Sequence, residues 1–197
     1  GKPVKMTYTR EQVFLHSRAR HQFYAEMSLG VKKDGTMVAL RNKAVLDGGA
    51  YTSFGIATVY YSGSLLGGPY KLQAMQYDGY RVYTNKPACG PKRGHGSVQP
   101  RFAFEGALDE GAEKLGIDPI EIRRRNLVTL KDQPTMTCME IPLEDITPAE
   151  CLEKLLAHFD VAAFRQEQKA ARDQGRYLGL GVAAYIEPTG AAGSIAT

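Results

Sequence analysis

The chain has 197 residues, 43% of them hydrophobic, which is enough for one domain with a sizeable core or for two small ones. No apolar run approaches the roughly 18–20 residues of a membrane-spanning helix, and no signal-peptide core is recognisable, so we expect no membrane partner. The net charge of +4 is small and the charges are interspersed, so charge alone indicates no nucleic-acid partner.

The cysteine pattern bears on the cellular compartment. Cys89, Cys138 and Cys151 are odd in number, widely spaced and without a CxxC pair. This pattern favours neither a disulfide framework nor a zinc site. We therefore expect a cytoplasmic protein that holds no metal through its cysteines, with Cys89 packed rather than reactive.

The first third of the chain is predicted to be mainly β-structure. Residues 4–9 are rich in β-branched and aromatic side chains and predict a strand. Thr9 is then the expected N-cap of a short helix over residues 10–15. Residues 21–31 and 37–46 flank an Asp-Gly pair, and this arrangement predicts a β-hairpin.

The next segment has weaker signals. Residues 47–70 mix small residues, tyrosines and glycines without a clear period, so they predict an irregular segment with a short helix over residues 58–66. Tyrosines and valine over residues 75–84 predict another strand. A loop over residues 85–97, with two prolines and three glycines, follows this strand.

Helical signals dominate the second half. A helix that contains Phe102 and Leu115 is predicted to end at Gly116, and Asp118 with Pro119 is predicted to begin the next one. Further helices are predicted over residues 151–159, after a start signal at Thr147, and 161–174, and a last strand over residues 177–186. Strands first and helices later predict an α+β fold, in which helices pack on a mixed or antiparallel sheet.

The loop over residues 85–97 carries the candidate chemistry. It joins a strand to a helix and places Lys92, Arg93 and His95 among glycines. Glycines let backbone amides approach a ligand, and a following helix presents its positive end, so an anionic group is the expected ligand. On composition alone, a solvated basic turn is the competing interpretation.

Several motifs in this loop and along the chain resemble one known family. Thr84-Asn85-Lys86-Pro87, followed by Cys89-Gly90 and Arg93-Gly94-His95-Gly96, is similar to a loop of the molybdenum subunit of the xanthine dehydrogenase and aldehyde oxidase family. The likeness extends in order through Gly1-Lys2-Pro3-Val4, Arg20-His21, Asp47-Gly48-Gly49-Ala50, Pro69-Tyr70-Lys71, Asp118-Pro119 and Arg124-Arg125-Asn126-Leu127.

This resemblance implies roles for four residues. Arg93 and Gly94 would contact molybdopterin, while Tyr61 and His95 would lie on the substrate side. His95 stands where xanthine-oxidising members usually carry phenylalanine, and with the Tyr60-Tyr61 pair it resembles the 4-hydroxybenzoyl-CoA reductase branch. Core packing is the competing interpretation of both tyrosines.

The resemblance also implies what lies elsewhere. Residues 1–197 would form a single partial molybdopterin-binding domain, completed by the remainder of a molybdenum subunit. The family's catalytic glutamate belongs to a Gly-Glu motif that is not in this sequence, so the chain alone is expected to be inactive. Iron–sulfur clusters and FAD would lie on partner subunits, and the substrate would be an aromatic small molecule, which is either hydroxylated or reductively dehydroxylated.

Two other functions remain open at this stage. The loop could serve a non-catalytic module that binds a phosphate-bearing ligand such as a coenzyme. Alternatively, the chain could be a structural fragment that docks against a larger protein.

Overall fold

The computed structural model describes residues 1–187. Its helices are α1 (Arg10–His16), α2 (Gly55–Ser64), α3 (Val98–Leu115), α4 (Pro119–Asn126), α5 (Pro148–His158) and α6 (Val161–Asp173), with a 3₁₀ turn at Leu130–Asp132. Its strands are β1 (Phe23–Val31), β2 (Met37–Asp47), β3 (Ala74–Val82) and the short pair β4 (Thr135–Met136) and β5 (Pro142–Leu143).

The main sheet is mixed. β1 and β2 form an antiparallel hairpin, and β2 and β3 run parallel, so the order is β1-β2-β3 with β2 in the centre. Helix α2 lies in the crossover that parallel pairing requires. The predicted α+β class with a mixed sheet is therefore confirmed, as are the hairpin and the helix N-cap at Thr9.

The turn of this hairpin is anchored to α4. Gly35 adopts a positive φ of 85°, a conformation that favours glycine. The Asn126 side chain donates to the Gly35 carbonyl at 2.8 Å and accepts from the Met37 amide at 2.8 Å. Because Asn126 is buried, its amide fixes the turn against the helix without help from water.

Helix α3 covers the sheet. Phe104, Leu108 and Ala112 recur at one-turn spacing, are fully buried, and pack in one core cluster with Met37 and Leu40 of β2. Gly116 ends this helix in the left-handed conformation, as predicted. The predicted N-cap of α4 is also confirmed, since the Asp118 side chain accepts from two backbone amides of its first turn.

A buried ionic network joins α3 to α4. The Arg123 side chain is fully buried, and its guanidinium contacts Glu105 at 2.9 Å and Asp109 at 2.7 Å. The Tyr70 hydroxyl donates to Glu105 at 2.9 Å, and the Arg101 guanidinium lies 3.6 Å from the same carboxylate. Two arginines and one phenol therefore neutralise and satisfy a single buried glutamate.

The run Arg123-Arg124-Arg125 predicts a solvated or interdomain helix face, and this prediction is wrong for Arg123, which is buried. Arg124 and Arg125 are exposed and pair with Glu121 and, for Arg124, also with Glu153. Successive residues of a helix point about 100° apart, so a run of three like charges cannot share one face. Arg123 can be buried because α3 supplies the carboxylates of Glu105 and Asp109 as its partners.

Two predicted strands are absent from the described residues. Residues 4–9 are exposed and form no β-ladder. Residues 177–186 pair with no described strand, although their even-numbered side chains are half-buried while the odd-numbered ones are exposed. The predicted strand is therefore wrong within the described residues, while one face of the segment is packed. Alternation does not supply the neighbouring strand that a ladder needs.

The C-terminal part adds two helices and a small hairpin. Helices α5 and α6 agree closely with their predicted ranges, although Thr147 makes no side-chain cap hydrogen bond. The β4–β5 pair was not predicted, because each strand has only two residues. No helix within residues 1–187 combines the length and the apolar character needed to cross a membrane.

Replacement of Arg123 tests the buried network. We expect Arg123→Ala to lower the free energy of unfolding by about 3–5 kcal/mol, because the Glu105 carboxylate would remain buried without its closest cation. Urea unfolding followed by circular dichroism measures this change. Arg124→Ala on the same helix removes an exposed ion pair and should cost at most about 1 kcal/mol. Equal losses of unfolding free energy in the two variants would show that the buried ion pair stabilises the fold no more than the exposed one.

Candidate functional site

The site is built at one edge of the main sheet. Because β2 and β3 run parallel, their last residues, Asp47 and Val82, are paired at this edge, and the following loops leave from it together. The Asp47 carboxylate accepts from the Gly49 amide at 3.1 Å, the Thr84 hydroxyl and the Lys86 ammonium. The hydrogen bonds from Lys86 and Thr84 hold the Asp47 pKa at about 2, so this carboxylate stays ionised.

One arginine ties both loops to the sheet. The Arg81 guanidinium donates to the carbonyl oxygens of Gly48 at 2.7 Å and Tyr51 at 3.0 Å, and to His21 Nε2 at 3.1 Å. A Cβ atom at Gly48 or Gly55 would lie 2.4 Å from this guanidinium. These glycines therefore leave the space that Arg81 occupies. Nothing in the local sequence around Arg81 predicts this role.

His21 is held neutral beneath these loops. Its side chain is buried, and burial together with the neighbouring Arg81 lowers its pKa to about 4. Nε2 accepts from Arg81, whereas Nδ1 is buried without a hydrogen-bond partner among residues 1–187. A lone histidine is usually a surface residue or one with both ring nitrogens satisfied, and within the described residues His21 is neither. Gln99, in the first turn of α3, donates to the His21 carbonyl at 3.1 Å.

The glycine loop, residues 85–97, packs directly on α2. Gly94 and Gly96 have positive φ angles of 76° and 78°. A Cβ at Gly96 would lie 2.5 Å from the Thr58 carbonyl oxygen, so a larger residue cannot approach the helix in this way. The Arg20 guanidinium donates to the Arg93 carbonyl at 2.8 Å and fixes the loop from its other side. The loop backbone is thus held while its basic side chains stay exposed.

The exposed cations lie beside a helix N-terminus. Arg93 and Lys92 are exposed, and neither side chain makes a hydrogen bond or ion pair within the described part of the chain. Ser97, the N-cap of α3, gives no side-chain cap to the first turn of that helix. The first N–H groups of a helix have no intrahelical acceptors, and the dipole adds positive potential there. Residues 85–97 also contain no carboxylate, so the arrangement favours an anionic, oxygen-rich ligand.

The structure brings Tyr61 and His95 together. Their rings meet edge to face, with centroids 5.2 Å apart, and Phe54 lies 5.8 Å from His95 on another side. His95 Nε2 is hydrogen-bonded to the Thr58 hydroxyl at 2.8 Å, and burial lowers the His95 pKa. A neutral imidazole is therefore held in an aromatic cluster, in the same loop as the exposed Arg93.

The competing interpretation of the tyrosine pair, core packing, does not hold. Tyr60 is half exposed, and its ring lies 5.5 Å from that of Tyr61. Tyr61 is half-buried between Tyr60 and His95 rather than in the core cluster. Of the site residues predicted from the sequence, all four lie in the glycine loop or on the helix beneath it. Phe54 and Thr58 were missed, because nothing in their local sequence indicates contact with a histidine 37 to 41 residues away.

The thiols give no second site. Cys89 is buried at the start of the glycine loop, and burial raises its pKa, which agrees with a packed and unreactive thiol. Cys138 and Cys151 are free and exposed. Within residues 1–187, no three histidine, cysteine or acidic side chains come together as a metal site would require.

Clefts away from the sheet edge offer less chemistry. One of about 650 Å³ lies between α4, α5 and α6, but Asp118 and Arg124 in its lining are paired with Arg165 and Glu153, and Asp160 caps α6. Another, of about 350 Å³, is lined mainly by aliphatic side chains of α5 and of residues 182–185. Neither presents an unpaired polar group comparable to Arg93.

Comparison with known proteins gives consistent matches. The family described as molybdopterin cofactor-binding domain matches residues 1–127. The xanthine dehydrogenase molybdenum-binding subunit of Escherichia coli O157:H7 is 37% identical over 94% of this chain and 24% of its own length. The nicotine 6-hydroxylase large subunit of Paenarthrobacter nicotinovorans is 29% identical over 95% of this chain and 23% of its own length.

A solved structure agrees with these matches. The crystal structure of quinoline 2-oxidoreductase from Pseudomonas putida 86 superposes with a TM-score of 0.84 at 34% identity, over 90% of this chain and 23% of that one. The chain thus spans about a quarter of the length of the relatives it matches.

The pH dependence of stability tests the neutral state of His21. Folding lowers its pKa from about 6.5 to about 4, so the unfolded chain binds the proton first as the pH falls. The contribution of neutral His21 to the free energy of unfolding should therefore be fully present above pH 6.5. It should fall by about 3 kcal/mol as the pH drops from about 6.5 to about 4. Urea unfolding at several pH values measures this loss.

The matched variant is His21→Gln, which keeps an acceptor for Arg81 but does not titrate. Its stability should depend less on pH, with only the weaker contribution of groups such as His95 remaining. Parallel pH profiles for the two proteins would contradict the assignment of this loss to His21.

Proposed function

The chain belongs to the molybdopterin cofactor-binding domain family of xanthine dehydrogenases and aldehyde oxidases, and we propose that residues 1–197 are one partial domain of the molybdenum subunit of such an oxidoreductase. The relatives it matches are about four times as long as the sequence they share with this chain. The rest of the cofactor cleft would come from the remainder of that subunit.

Arg93 and Gly94 are the proposed cofactor contacts in this chain. Molybdopterin is anionic and rich in oxygen, and the described residues fit such a group. Among residues 1–187 the Arg93 guanidinium is exposed without an acceptor, the first turn of α3 lacks a side-chain cap, and the glycine loop contains no carboxylate that would repel an anion. Arg93 would bind an anionic oxygen, and the positive φ of Gly94 gives the turn that presents Arg93.

The glycine loop is held in place before any ligand arrives. Arg20 binds the Arg93 carbonyl, Gly96 packs on α2, and the start of the loop is linked through Asp47 and Arg81 to the sheet edge. A preformed loop loses little conformational entropy on binding. The fixed backbone beside a free guanidinium is the observation that carries the proposed cofactor contact.

Tyr61 and His95 are the proposed substrate-side residues. The edge of Tyr61 and the ring of Phe54 enclose His95 and form an aromatic surface that suits a planar ring. The names of three relatives or similar structures refer to xanthine, nicotine and quinoline, all of them aromatic heterocycles. We therefore propose an aromatic substrate, and as its narrower form an aromatic CoA thioester, as in 4-hydroxybenzoyl-CoA reductase.

The bound cofactor would supply the molybdenum centre at which electrons pass between substrate and protein. This chain would bind the cofactor, orient the substrate ring and exclude water from one wall. Iron–sulfur clusters and FAD on partner subunits would carry the electrons onward. The catalytic glutamate that the resemblance implies would lie in the remainder of the subunit, and no carboxylate of this chain takes that role.

Substitution of Arg93 tests the cofactor contact. In the molybdenum subunit that contains this chain, purified with its partner subunits, Arg93→Ala should weaken cofactor retention about ten- to a hundredfold. A hydrogen bond to a charged group contributes about 1.5–3 kcal/mol, and that range sets this expectation. Molybdenum analysis and pterin fluorescence after dialysis measure the loss.

Lys92→Ala is the control for this test, since it removes the adjacent exposed cation from the same loop. It should retain most of the molybdenum. If both variants retain it equally well, Arg93 does not contact the cofactor.

The 197-residue chain by itself provides a second test. Produced in cells that make the cofactor, it should purify with far less than one molybdenum per chain, because its proposed contacts reach the cofactor from one wall only. Stoichiometric molybdenum would contradict this expectation. Tight binding of a phosphate-bearing coenzyme by the chain alone, lost in Arg93→Ala, would instead favour a non-catalytic binding module.

A further inference from the structure

Thr58 contacts His95, and this contact has no part in the proposed cofactor binding. Its side-chain oxygen lies 2.8 Å from His95 Nε2, and this is its only side-chain hydrogen bond among the described residues. Thr58 is buried, with 3% of its surface exposed, in the second turn of α2. The Thr58 end of this bond is therefore shielded from water.

The direction of this bond follows from the cost of burying polar groups. A hydroxyl carries one donor hydrogen, and a buried donor without an acceptor is costly. If Nε2–H donated to Thr58, the Thr58 hydrogen would be left without a partner among residues 1–187. If Thr58 donates to Nε2, its hydrogen is satisfied. The bond thus favours Thr58 as the donor and a neutral His95 with its proton on Nδ1.

The surroundings of His95 hold the ring in this orientation. Tyr61 meets the ring edge to face, Phe54 contacts it at an angle, and Gly96 fixes the following backbone against the Thr58 carbonyl. Burial lowers the His95 pKa, which keeps the ring neutral near pH 7. Nδ1 makes no hydrogen bond to the described residues and is not among their buried unpartnered atoms, so it remains accessible.

We propose that Thr58 is a positioning residue that fixes His95 as the Nδ1–H tautomer, so that His95 presents an N–H donor to the substrate. The aromatic substrate would then carry an acceptor near its ring, either an oxygen or an unprotonated ring nitrogen. This inference rests on the proposed placement of His95 at the substrate side, and it narrows the substrate class for that same site.

The tautomer can be measured directly in the 197-residue chain. Histidine labelled with ¹⁵N gives different shifts for protonated and unprotonated ring nitrogens in long-range proton–nitrogen spectra recorded near pH 8. Comparison with His95→Gln identifies the His95 signals among the four histidines. We expect Nδ1 to be the protonated nitrogen of His95 in the unmodified chain.

Variants of Thr58 test the cause. Thr58→Ser keeps the hydroxyl and should retain the Nδ1–H form. Thr58→Val removes the donor at similar size, and the Nε2–H form, which free imidazole side chains prefer, should become the major one. Tyr61→Phe keeps the edge contact and should leave the tautomer unchanged. Thr58→Ala is a second variant without the hydroxyl, in case the valine variant does not fold.

Two results would overturn the proposal. A protonated Nε2 in the unmodified chain would show that Thr58 accepts rather than donates. An Nδ1–H form that persists in both hydroxyl-free variants would show that Thr58 does not set it. The measurement needs neither cofactor nor substrate, so its failure is distinguishable from failure of the proposed function, which molybdenum content tests.

Discussion

The site depends on the hydrogen bonds that the Arg81 guanidinium makes at the carboxyl edge of the sheet. It binds the carbonyls of Gly48 and Tyr51 and the ring of His21, and two glycines leave the room that it needs. Backbone carbonyls at such an edge have no ladder partner, and a charged donor satisfies several of them at once. Arg81 joins the loop after β2 to the segment before β1 through one side chain, and the amides of Cys89 and Gly90 add a second link, to Gly48 and Ala19.

Because Arg81 fixes these segments, the glycine loop lies on a backbone that is held by hydrogen bonds. Asp47, at the same edge, holds Lys86, while Arg20 holds the Arg93 carbonyl further along. The loop backbone is therefore committed to internal contacts, and its free side chains are left for a ligand. Cofactor binding would then need only small rearrangements, which suits the proposed role of this chain as one wall of a shared cleft.

Local signals in the sequence predicted the local features of the fold. Gly116 and Asp118 marked adjacent helix ends because capping depends on neighbouring residues only. Arg81, Thr58 and the burial of Arg123 escaped prediction because each depends on partners far away in the chain. The strand predicted over residues 177–186 shows the same limit, since local sequence does not indicate whether another strand lies beside it.

The resemblance contributed what local signals could not. Composition alone favoured a solvated basic turn for residues 85–97. The ordered motifs pointed instead to one family, which the match over residues 1–127 then established. The geometry adds the details specific to this chain: a neutral histidine bonded to Thr58 and an aromatic surface made of Phe54 and Tyr61. These features distinguish its proposed substrate wall from a bare hydrophobic one.

The most direct test of this account is an experimental structure of the cofactor-loaded molybdenum subunit that contains this chain. We predict that the Arg93 guanidinium lies within hydrogen-bonding distance, about 3 Å, of an anionic oxygen of the cofactor, with the Gly94 turn against it. An Arg93 side chain directed into solvent, or paired with a carboxylate of another subunit away from the cofactor, would contradict the account.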